Sequence, residues 1–107
     1  MAPRPPLEAD EETAFTAWVN GLGLECLKLR IDGANGFPDR TVITPRGTLF
    51  FEFKRPGEAL APEQVIWKDR LERQGRAVFT VYSARDAVSQ FLHWWRQNKK
   101  DMNYGGT

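Results

Sequence analysis

Three side chains in the middle of the chain have the types and spacing to do chemistry on a phosphate. Asp39 stands on a turn started by Pro38, and after twelve intervening residues come Glu52 and, two residues on, Lys54. Between them, Thr41 to Thr44 and Leu49 to Lys54 are β-branched and aromatic runs separated by Pro45-Arg46-Gly47, the pattern of a hairpin. Alternation along the second strand puts Phe51 and Phe53 on one face, and Phe50, Glu52 and Lys54 on the other. Folding back the first strand brings Asp39 towards Glu52, so two carboxylates and an ammonium converge. Adjacent carboxylates that lose hydration repel each other unless a proton or a cation intervenes. All-oxygen donors suit Mg²⁺ or Mn²⁺, which keep several waters and bind substrate phosphate. The chemistry this favours is metal-dependent phosphodiester hydrolysis; the plainer alternative is a solvated turn aspartate and a surface Glu/Lys pair on an edge strand.

Pro38-Asp39 followed by Glu52-Phe53-Lys54 resembles the signature of PD-(D/E)XK nucleases. The text around it, Gly36-Phe37-Pro38-Asp39-Arg40 and Phe51 to Gly57, with Gln64, Trp67 and Leu71 downstream, resembles the VRR-NUC branch, particularly its small stand-alone phage members. The resemblance implies an α/β, restriction-endonuclease-like αβββαβ core: a mixed central sheet flanked by helices. It also implies an endodeoxyribonuclease in which Asp39, Glu52, Lys54 and Gln64 are catalytic. Asp39 and Glu52 would hold Mg²⁺ or Mn²⁺ with the Phe53 carbonyl and a helix-borne glutamate, Glu8 by position, with Glu11 or Glu12 as alternatives. Lys54 would position or help deprotonate the attacking water. Lys28, Arg40, Arg55 and Lys68 are the candidate DNA contacts. The phage relatives suggest branched DNA such as Holliday junctions, and paired cutting by so small a domain calls for a homodimer.

Composition narrows the field. A chain of 107 residues with 41% hydrophobic content suffices for one core, expected here over residues 7–98. The proline-rich residues 1–6 and the polar residues 99–107 are expected to be flexible ends. No apolar run approaches the ~20 residues of a membrane span, and a soluble, cytosolic protein is expected. Cys26 and His93 each stand alone, which leaves no disulfide framework or Cys/His zinc site within one chain, and both are expected to pack. With a net charge of +1, affinity for nucleic acid must come from local patches and a metal rather than from bulk charge. No Gly-rich phosphate loop is present, so no nucleotide cofactor is expected.

The flanking elements read as follows. An apolar stripe with helical spacing, from Leu7 through Phe15, Trp18 and Val19 to Leu22, ends at Gly21 and Gly23. Leu24 to Ile31 reads as a strand with Lys28 and Arg30 on one side, towards solvent or towards the site. Leu60 to Pro62 opens a helix running to about Gln74, with Gln64, Lys68 and Leu71 on one line. Ala77 to Tyr82 is an interior strand parallel to a hairpin strand. Ser83 with Asp86 forms a capping box for a final helix to about Asn98.

Overall fold

The computed structural model describes residues 8–99, and of Glu8 the backbone alone. The regions expected to be flexible, residues 1–6 and most of 99–107, lie outside the described residues. Helix α1 (Glu8–Gly21) is followed by β1 (Glu25–Leu27), β2 (Arg40–Thr44), β3 (Gly47–Phe53), α2 (Pro62–Arg73), β4 (Ala77–Val81) and α3 (Ala84–Gln97). The strands form one mixed sheet in the order β1-β2-β3-β4, antiparallel except for the parallel β3–β4 pair. This is the expected αβββαβ core, extended by α3. Among the described residues, no helix is long and apolar enough to cross a membrane.

Register decides what each face carries. Arg40 pairs with Phe51 and Thr41 with Phe50, while Phe51 lies beside Phe79 and Phe53 beside Val81. Directly paired residues project to the same side of a sheet. One face therefore presents Val42, Leu49, Phe51, Phe53 and Val81 to Phe15 and Val19 of α1 and to Ala87 and Phe91 of α3, forming the core. Phe15 is fully buried, with its ring 4.7 Å from that of Phe51 and 5.8 Å from that of Phe53. The other face carries Thr41, Phe50, Glu52, Val78 and Thr80, and α2 lies across its β4 side.

The ends of the elements follow local chemistry. Thr44 pairs with Gly47 across a two-residue Pro45-Arg46 turn, and a Cβ on Gly47 would stand 3.3 Å from the Trp94 ring. Arg46 lies 3.7 Å over the Trp95 ring and donates to the Trp95 carbonyl at 2.8 Å, tying the turn to the C-terminal end of α3. The Ser83 hydroxyl accepts from Asp86 N–H at 2.9 Å, as a cap should, but the Asp86 carboxylate reaches one residue further back, to Tyr82 N–H at 3.0 Å. Strand β1 is much shorter than the apolar run that contains it. Its pairing stops at Leu27 opposite Thr41. Cys26 is buried as expected, whereas His93 is exposed on the outer side of α3 instead of packed.

Phe15 bridges α1 and the sheet without contact to the polar face. Phe15→Ala is expected to lower the unfolding free energy by about 3–5 kcal/mol in a urea titration. A loss below about 1 kcal/mol would mean that this layer does not hold the domain together.

Candidate active site

The hairpin register sets the centre of the site. Asp39 stands one residue before β2, and extending the Arg40–Phe51 pairing places it opposite Glu52. Its Oδ2 accepts the Phe53 N–H at 2.7 Å, which fixes the carboxylate against β3. Glu52 is 5% exposed, on the face opposite the aromatic core. Burial, followed by the neighbouring Asp39 carboxylate, raises its pKa from 4.5 to about 8, and the Lys54 ammonium pulls the other way. Lys54 follows the last residue of β3, and its N–H donates to the Val81 carbonyl at 2.9 Å. That bond continues the parallel ladder and keeps the alternation that directs Lys54 to the side of Glu52.

Gln64 joins this centre from α2. Its Nε2 donates to Glu52 Oε2 at 2.9 Å, and its Oε1 accepts the Ala61 N–H at 2.8 Å. Ala61 N–H can only donate, so the amide oxygen must face it and the NH₂ group must face Glu52. This is the returning half of a capping box; Ala61 has no hydroxyl to supply the other half. One side chain thus starts α2 and orients Glu52. Gly36 fixes the approach of the loop to the same helix. A Cβ there would meet the backbone and Cβ of Glu63 at 2.5–2.7 Å, and φ is +87°.

The remaining candidate residues divide between this centre and other parts of the fold. Arg40 pairs with Phe51, so it projects to the core side, where its Nε lies 2.6 Å from Glu12 Oε2. Lys28 follows β1 and reaches the same carboxylate at 3.5 Å. Glu12 is 8% exposed and held by these two cations, and the Glu11 carboxylate accepts the Ala84 N–H at 2.7 Å, at the start of α3. The Glu8 side chain lies outside the described residues. Lys68 donates to Glu72 Oε2 at 2.8 Å and to the Val78 carbonyl at 3.1 Å, binding α2 to β4. Arg55 is exposed on the turn after β3.

Sequence reasoning missed the Glu12–Arg40 pair, the role of Glu11 at α3 and the seat of Arg46 on Trp95. Only the first left a signal: once the hairpin turn is placed, Arg40 falls in line with Phe51. Chemically, Asp39 and Glu52 form an oxygen-only, charge-strained pair that a hard divalent cation relieves, with an ammonium and an amide beside it. Among the described residues, no group of three or more His, Cys, Asp or Glu side chains converges. Among the described side chains, two carboxylates are placed to hold an ion here, with backbone oxygen and water beside them, a donor set that suits Mg²⁺ or Mn²⁺.

No protein-family model and no curated protein matches the chain. Among solved structures, one described as a VRR_NUC domain is similar to it, with a TM-score of 0.74 and 29% sequence identity. The likeness covers 81% of this chain and 96% of that one. With Asp39, Glu52, Lys54 and Gln64 gathered on one face of its mixed sheet, the chain has the nuclease-type fold of a VRR-NUC domain.

Proposed function

We propose that the protein is a metal-dependent endodeoxyribonuclease that hydrolyses phosphodiester bonds in branched DNA, such as Holliday junctions. The observation that carries this reading is the buried Glu52 carboxyl beside Asp39, with Gln64 bonded to it and Lys54 close enough to lower its pKa. A fold gains no stability from such a pair, and a cation-binding site has direct use for it.

Asp39 and Glu52 would hold Mg²⁺ or Mn²⁺ with the Phe53 carbonyl, and Glu8, the helix-borne glutamate that the resemblance implies, would complete the set. When bound, the ion supplies a Lewis acid that lowers the pKa of water and screens the phosphate. The other tasks belong to the chain itself. The Phe53 N–H and the Gln64 amide prevent the two carboxylates from rotating away. The Lys54 ammonium orients the attacking water and offsets negative charge as it develops on the phosphate oxygens. Lys28, Arg40 and Lys68 act chiefly by holding α1 and α2 against the sheet, and Arg55 lies at the rim on the DNA side. Two copies working as a homodimer cut paired strands, and the setting is the cytosol of a bacterial or phage-infected cell.

Two outcomes follow. In chelator, the native state holds a proton on Glu52 up to about pH 8, whereas the unfolded state releases it near 4.5. Between those values the native state binds more protons, so stability falls as pH rises, by up to about 1.4 kcal/mol per unit for this one group. Thermal melts should show that slope in the wild type, less of it in Glu52→Gln, and a flatter profile with Mg²⁺; identical slopes in all three would refute the assignment. In a cleavage assay on labelled four-way junctions, Asp39→Ala, Glu52→Ala and Lys54→Ala should each lower the rate by at least about 100-fold while keeping a cooperative melt. Persistent cutting by all three variants would remove the nuclease reading.

A further inference from the structure

The connection between β1 and β2 leads directly into Asp39, and it curls around an open depression of about 440 Å³ lined by Leu29, Arg30, Ile31, Asp32, Asn35 and Phe37. Its shape is fixed from both sides. Ala34 N–H closes a turn on the Ile31 carbonyl at 3.1 Å, and Gly36 is packed against Glu63, the neighbour of the Gln64 that orients Glu52. The Phe37 ring is held edge-on by Phe50 and Trp67, with centroids 5.7 and 5.2 Å away. Only Pro38 separates Phe37 from Asp39, a backbone span of at most ~7 Å. Through Phe37, packed on Phe50 of the Glu52 face, the cavity adjoins the carboxylate pair.

The lining chemistry selects the occupant. Leu29 and Ile31, 42% and 45% exposed, supply the apolar part of a lining that is otherwise mostly polar. Arg30 makes no ion pair among the described residues, while Asp32 contributes the opposite charge to the same wall. A phosphate inside the cavity would meet the Asp32 carboxylate. A flat, uncharged group with a polar edge meets no such penalty: its faces lie on the aliphatic side chains and its edge on Asn35 and Asp32, which can pair with base amino groups.

We propose that this cavity takes one unpaired nucleobase adjoining the phosphate at Asp39, Glu52 and Lys54, with Arg30 on the backbone of that nucleotide. The proposal rests on the nuclease reading above and adds a physical source of substrate choice. A base already unpaired at a branch, bulge or mismatch enters at little cost, whereas a base in intact duplex must first be unstacked.

The test is a titration, in chelator so that no strand is cut, of DNA carrying one bulged 2-aminopurine, beside the same strand fully paired. Wild type should bind the bulged DNA more tightly and change the 2-aminopurine fluorescence. Arg30→Ala/Asn35→Ala should weaken binding of the bulged DNA about tenfold and leave paired DNA nearly unaffected. Asn35→Ala alone, which preserves charge, should lose part of the preference and part of the fluorescence change. Both positions are exposed, and a melt of each variant checks its fold. Equal binding of the two DNAs by wild type, or a preference retained in the double variant, overturns the inference. If junction cutting persists alongside such a result, the nuclease reading survives and the base site alone fails; absence of both DNA binding and cutting removes the two together.

Discussion

A carboxyl group with 5% exposure, next to a second carboxylate, is the costliest feature of this fold, and several neighbouring elements are arranged around it. The two-residue turn at Pro45-Arg46 sets the register that puts Asp39 opposite Glu52. The parallel ladder to β4 extends one bond beyond β3 and keeps Lys54 in alternation. The first turn of α2 presents Gln64, whose amide is shared between its own helix start and Glu52. Without a proton or a cation, the centre opposes the fold that creates it.

The aromatic core lets the molecule tolerate this cost. Phe15, Phe51 and Phe53 pack as tilted rings between α1 and the sheet, and α3 closes the layer through Phe91 and Ala87. Helix α2 contributes no buried residue, and Val65 and Ile66 are half exposed on it. Its hold on the sheet comes from Trp67 against Phe37 and from Lys68 on the Val78 carbonyl. The side bearing the chemistry is therefore the thinly covered side, open to a large polyanion, while stability is concentrated on the other face. A nuclease benefits from that division because the substrate needs access to only one surface.

Much of this was legible in the sequence. Alternation along Phe50 to Lys54 separates the aromatic face from Glu52 and Lys54 without any knowledge of partners. The turn residues 45–47 bring Asp39 back to them, and the order of the elements follows from Gly and Pro positions and apolar spacing. What was not legible depends on contacts between distant segments. Leu24 to Ile31 has strand character throughout, yet pairs with β2 only over Glu25–Leu27. The acids of α1 look equivalent in sequence, but packing commits Glu11 to α3 and Glu12 to Arg40. His93 sits among aromatic residues and still faces outward, because Phe91 takes the buried position on that turn with Trp95 half-buried beside it.

The most direct measurement is Mn²⁺ binding to the DNA-free protein, followed by electron paramagnetic resonance or calorimetry, for wild type and for Asp39→Asn. If Asp39 and Glu52 form a cation site, wild type binds Mn²⁺ saturably, Mg²⁺ competes, and Asp39→Asn loses the site while retaining its melt. Saturable binding that survives unchanged in Asp39→Asn, or a folded wild type that takes up no ion at millimolar concentration, would contradict the account.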